Sequence, residues 1–212
     1  MCNPKFKLVD LFLISTRPHT PMDLALAEVG LKQLRPIRVF NSGADLIEGI
    51  LEEGDRGDEA RGAVKDALRG CAAYKQWQHS MPYLKDVPEI SHYRRHRSKS
   101  LLTVNVQILN TGGYFNAGQI LYRGSAFMSE QILTGEPTST SMNPSVARWH
   151  VLEVGDQIAV LKIDRSRSIR GFASRTSGNQ SLKHEYEVLL QSGLRLEQTS
   201  ARHVGGLSVR SY

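Results

Sequence analysis

The chain predicts an α+β fold, with a helical N-terminal part followed by a strand-rich part. Three observations carry this. Apolar residues recur at helical spacing between about residues 20 and 76. From Leu101 onward, alternation with period two and β-branched residues take over. The two kinds of segment are segregated along the chain, which separates α+β from the alternating α/β class.

The elements follow in order. Thr20-Pro21-Met22-Asp23 reads as an N-cap, a proline at the first helical position and an acid in the first turn, followed by the helical spacing of LALAEVGLKQL. A second helix is expected from about Ala44 to Glu53, and Gly54-Asp55-Arg56-Gly57 reads as a turn. A third helix, from about Glu59 to Gln76, places Ala60, Ala63, Val64, Ala67, Leu68 and Cys71 on one stripe. Residues 78–100 are polar and basic. They read as a solvated connector or as an anion-facing patch built on Arg94, Arg95 and Arg97. LLTVNVQIL at 101–109 alternates and predicts a strand, and Gly112-Gly113 predicts a turn. GQILYRG at 118–124 predicts the next strand, ending near Arg123. Asn143-Pro144 opens a short helix, SVARWHV. Further strands are expected at about 157–163, 168–173, 186–191, 194–199 and 203–209. This divides the chain into a helical lobe with its basic connector, 1–100, and a strand-rich core, 101–212.

Composition narrows the function classes. The net charge of +6 favours anionic partners. No RNA- or DNA-binding motif accompanies it, so nucleic acid is not the expected partner. The two cysteines, Cys2 and Cys71, form no Cys/His cluster, so neither a disulfide framework nor a metal is expected. Cys71 reads as a small buried hydrophobe. The first fifteen residues carry lysines and an apolar patch interrupted by Asp10, with no small-residue cleavage site. They do not read as a Sec signal. No run reaches membrane-spanning length.

The stretch KHEYEVLL, 183–190, places Glu185 and Glu187 two apart at the start of a strand. If pairing begins that early, both carboxylates share one face. Like charges held together either mark a solvated strand end or serve chemistry.

Three pieces stand in order: LYRG with Arg123, STS at Ser139-Thr140-Ser141 before NPSVA, and Glu185-Tyr186-Glu187 before VLL. The ordered set resembles the Arg–Ser–Glu class of mono-ADP-ribosyltransferases, over about residues 101–210. The resemblance implies a core of two packed sheets and NAD as substrate. It implies that Glu187 stabilises an oxocarbenium-like ribose and that Glu185 prepares an acceptor arginine. Ser139 would fix the rotamer of Glu187. Arg123 would grip the pyrophosphate, with Tyr122 and Gly124 beside it on the strand, and Trp149 would stack on nicotinamide. The loop at 171–184, ahead of the glutamates, would select the protein acceptor. In size and helical N-terminal part the chain resembles effectors that plant-pathogenic bacteria inject into host cells. That implies a secreted protein acting on a host protein.

Residue type alone leaves other readings. Arg123 also fits a strand-edge salt bridge, Ser-Thr-Ser a cap, Trp149 the core, and His184 a solvated neighbour of Glu185. The chain also departs from the family pattern at Pro137, where an aromatic is usual, and in the sixteen-residue spacing from Arg123 to Ser139, which is short. The alternative function is therefore a catalytically silent module that binds an arginine-bearing peptide without NAD.

Overall fold

The computed structural model describes residues 4–212, apart from 35, 53–57, 97–99, 125–130, 155–156, 165–167, 175–185 and 205. The side chains at 52, 58, 59, 95, 96, 131, 132 and 152–154 are likewise outside the description. The turn at 54–57, Arg97, most of the 171–184 loop, His184 and Glu185 thus lie outside the described residues, as do Cys2 and the side chain of Arg95.

The architecture is α+β. The helices are α1 (Pro21–Glu28), α2 (Gly43–Glu52), α3 (Asp58–Gly70), α4 (Ala72–Ser80), α5 (Pro88–His96), α6 (Leu101–Thr111) and α7 (Pro144–Val154). The strands are β1 (Ile14–Ser15), β2 (Val39–Phe40), β3 (Gly113–Tyr114), β4 (Ile120–Gly124), β5 (Gln131–Leu133), β6 (Thr138–Ser141), β7 (Gln157–Lys162), β8 (Arg170–Ala173), β9 (Glu187–Leu190), β10 (Arg195–Glu197), β11 (Ser200–Val204) and β12 (Leu207–Ser211). Eight strands hydrogen-bond in one ladder, β11-β12-β7-β4-β6-β9-β8-β3, and β10-β5 and β1-β2 form separate pairs. Within that ladder β4, β6 and β9 are consecutive neighbours. They carry Arg123, Ser139 and Glu187.

Helix α1 begins as its sequence dictates. The Thr20 hydroxyl accepts from the Asp23 N–H at 3.2 Å, and the Asp23 carboxylate accepts from the Thr20 N–H at 2.7 Å. This reciprocal capping box has Pro21 at the first helical position.

Four expectations are corrected. LLTVNVQIL is helix α6, not a strand. Val104 and Ile108, four apart, are fully buried, while Leu102 and Val106 are exposed. The polar residues between them are used at the surface the helix meets. Asn105 accepts from the Ser192 N–H at 2.7 Å, and Gln107 accepts from the Ile90 N–H at 2.9 Å. Val104 and Ile108 satisfy a period of two and a spacing of four alike, and tertiary packing selects the helix. The single helix expected from 59 to 76 is broken at Cys71, whose ψ of 111° is extended. The break redirects α4 so that Tyr74 and Trp77 reach the core. The basic connector contains α5, and the strand expected at 203–209 is instead the hairpin of β11 and β12.

The main core runs across residue 100. It joins Phe6, Trp77, Ile90 and Ile108 to Phe115, Leu121, Phe172 and Val188. Phe6 stacks on Trp77 with ring centroids 4.8 Å apart, and the Trp77 indole donates to the Lys7 carbonyl at 2.6 Å. A second cluster packs Ile47 and Leu51 of α2 and Ala147 and Val151 of α7 against Tyr122, Ile158 and Val209 of the strands. Among the described residues no helix is long and apolar enough to cross a membrane.

Candidate active site

Glu187 opens β9, where its backbone pairs with Ser141 of β6. The residue before it, Tyr186, has φ of 47°, in the left-handed region that a tyrosine rarely adopts. Strand geometry therefore starts at Glu187 and does not extend back through Tyr186. The expectation that the strand pleat puts both glutamates on one face loses its basis. Tyr186 is itself buried, its ring 6.0 Å from that of Tyr74.

The carboxylate of Glu187 is held at both oxygens. Ser139 Oγ donates to Oε1 at 2.8 Å. Arg94 Nε donates to Oε2 in an ion pair whose side chains are 8% and 11% exposed. Arg123 completes the group, since its Nη1 donates to the Ser139 carbonyl at 2.7 Å. The chain of contacts thus reads Arg94, Glu187, Ser139, Arg123. A carboxylate has about four acceptor positions. Ser139 and Arg94 occupy two, and the rest suit a ligand hydroxyl. Beneath the ion pair lies Tyr74, whose hydroxyl burial pushes far above the ordinary range, with Tyr186 adding to the shift.

The structure thus brings Arg123, Ser139 and Glu187 together from three strands. Of the other candidates, Glu185 lies outside the described residues, and Tyr122 and Gly124 serve packing. Tyr122 is buried in the apolar cluster with Ile47, Leu51 and Val151, and burial raises its hydroxyl pKa. It borders a cavity of about 90 Å³ lined by Leu8, Phe12, Leu46 and Met142. Gly124 is a packing position. A Cβ there would stand 2.3 Å from the Ala147 carbonyl oxygen and 3.0 Å from the Val151 nitrogen, so glycine is what lets α7 cross β4. Trp149 is not a core tryptophan. It is half-exposed on α7, its ring 5.0 Å from that of His150. Ser141 accepts from the Asn143 N–H at 2.9 Å, while the N–H of Ser145 goes to the Asn143 side chain at 3.0 Å, so Asn143 is the direct cap of α7. A separate cleft of about 430 Å³ is lined by Arg17, Thr20, Asp23, Lys32, Lys65 and Arg69, and among the described residues Arg123, Ser139 and Glu187 do not border it.

Sequence reasoning did not link Arg94 to Glu187. The signal was present in HYRRHR, which reads as a patch facing an anion. The anion is a carboxylate of the same chain, 93 positions away.

No protein-family model matches the sequence, and no curated protein does. Among solved structures, the chain is similar to the Vis toxin, an ADP-ribosyltransferase from Vibrio splendidus, at 15% identity and a TM-score of 0.36, covering 80% of this chain and 66% of that one. It is similar to BECa, an ADP-ribosylating toxin of a binary enterotoxin of C. perfringens crystallised with NADH, at 13% identity and a TM-score of 0.47, covering 70% of this chain and 47% of that one. The same Vis enzyme in complex with agmatine is matched at 14% identity and a TM-score of 0.36, over 84% of this chain and 86% of that one. The chain thus spans about two thirds of the Vis toxin first named and about half of BECa. TM-scores at this level carry no argument about activity, which rests on the site.

Proposed function

We propose that the protein is an NAD-dependent mono-ADP-ribosyltransferase that modifies arginine on a host protein, as a secreted toxin or effector of the kind injected by plant pathogens. The observation that supports this most is the Ser139 hold on Glu187, with Arg123 one hydrogen bond beyond Ser139. Neither glutamate, serine nor arginine is special alone. Their meeting from β4, β6 and β9 is.

In this reading Glu187 faces the ribose. The bond from ribose to nicotinamide breaks, its electron pair leaves with the neutral nicotinamide, and the carboxylate stabilises the cation left on the sugar. Ser139 keeps the carboxylate in one rotamer. Arg123 binds phosphate through its planar fork. Glu185 takes a proton from the acceptor guanidinium, which is otherwise a poor nucleophile, as its nitrogen bonds to the sugar carbon. Removing an electrostatic group of the Glu187 kind costs roughly 3–4 kcal/mol of barrier, or two to three decades in rate.

A second reading has its own support. Glu187 already binds a guanidinium, that of Arg94. A silent module that binds an arginine-bearing peptide would use the same contact. Labelled NAD incubated with host extract separates the two, because only the transferase passes label to protein and only it loses that label on Glu187→Ala.

A further inference from the structure

We infer that Arg94 is a second diphosphate-binding arginine of this site, parked on Glu187 until an anionic ligand draws it away. The inference rests on the NAD reading above. It starts from a conflict of sign. A guanidinium paired to Glu187 cancels much of the negative field the carboxylate would offer the sugar as positive charge moves onto it from the nicotinamide ring. A serine beside the acid suits the reaction, whereas a cation beside it opposes the reaction. The contact seen here is therefore a resting arrangement, and Arg94 leaves Glu187 before the bond breaks.

A side chain 8% exposed does not leave one carboxylate without another anion to receive it. The ligand class that offers one is a nucleoside diphosphate, whose adjacent phosphate oxygens match the fork of a guanidinium. The charges agree. Arg94, Glu187, Ser139 and Arg123 form one connected chain of contacts with two guanidiniums and one carboxylate, a net +1. Once Arg94 turns to the diphosphate, both arginines serve the anion and Glu187 is freed for the sugar. The position on α5 gives the helical N-terminal half a direct part in the site.

ADP tests this, because it carries the diphosphate but lacks the second ribose that would meet Glu187. Calorimetry on the full chain should show Arg94→Ala and Arg94→Gln binding ADP roughly tenfold or more weakly, the loss of one charge-assisted contact. Arg94→Gln leaves a smaller gap than alanine and keeps an amide donor without the charge, so it reports even if Arg94→Ala does not fold. Glu187→Gln should bind ADP several-fold more tightly, because it releases Arg94. Unchanged ADP affinity in the folded Arg94 variants, or no tightening in Glu187→Gln, overturns the inference. If the wild-type protein still cleaves NAD, that result removes Arg94 alone. A wild-type protein that binds no NAD at millimolar concentration overturns both this inference and the reading beneath it.

Discussion

Ser139 Oγ donates to Glu187 Oε1 at 2.8 Å, although the register sets Ser139 opposite Leu189 and Glu187 opposite Ser141. The bond is a diagonal one between neighbouring strands, within reach of a long side chain. It fixes one carboxylate oxygen and leaves the other to Arg94. A hydrogen bond to a charged group contributes about 1.5–3 kcal/mol. Ser139→Ala should therefore lower kcat for NAD cleavage by one to two decades and leave KM nearly unchanged, a smaller loss than Glu187→Ala. Steady-state nicotinamide release measures both constants.

Glu187 also carries a structural charge balance. Its truncation to alanine strands a nearly buried Arg94, which costs about 3–5 kcal/mol. Glu187→Ala should show a clear drop in urea midpoint. Replacing both partners with apolar residues, as in Arg94→Met with Glu187→Leu, should recover most of it. Equal midpoints for wild type and Glu187→Ala would contradict the ion pair.

Gly124→Ala separates packing from ligand contact. The new methyl meets α7 backbone, which cannot rotate away as a side chain can. The expected cost is about 1–3 kcal/mol, the usual range for overpacking. The melting temperature should fall by several degrees. A stable variant with an altered KM for NAD would restore Gly124 as a ligand contact.

Helix α1 should respond to acid before the core does. The Asp23 carboxyl is held well below its usual range by the Lys32 ammonium first, then by the N–H and hydroxyl of Thr20. A depressed carboxyl stabilises the fold above its unfolded pKa, and that stability is lost as pH falls through the folded value. The loss therefore begins below about pH 4. No side chain of α1 is fully buried, so the loss stays local. Amide exchange in α1 should quicken, relative to the core, as pH drops below that point, and in Thr20→Ala the acid-dependent part of that change should be smaller, because the folded carboxyl lies nearer its unfolded value.

Much of this was legible in the sequence, for identifiable reasons. Thr20-Pro21 and Asn143-Pro144 carry their own capping chemistry, so α1 and α7 were readable from local residues. β4, β7, β8 and β9 were readable as short, largely apolar runs, and three of them bury three consecutive residues rather than alternate ones. Helix α6 was not, because Val104 and Ile108 fit both periods and only Ser192 and Ile90, distant in sequence, reveal why Asn105 and Gln107 face inward. The break at Cys71 was hidden for a similar reason: the apolar stripe continues past it, and the turn is set by Trp77 packing on Phe6. At the site, the Arg123, Ser139 and Glu187 set was legible by order along the chain. Arg94 was not, because an ion pair between α5 and β9 leaves no local pattern. Tyr122 and Gly124 were drawn in as neighbours of Arg123, but the one fills an apolar cluster and the other lies against α7.

The most direct test of the central claim is the initial rate of nicotinamide release from NAD by wild-type protein, beside Glu187→Gln under identical conditions. The account predicts measurable release by the wild type and a rate lower by roughly two to three decades in the variant. No release by the wild type, or the same rate from both proteins, would contradict it.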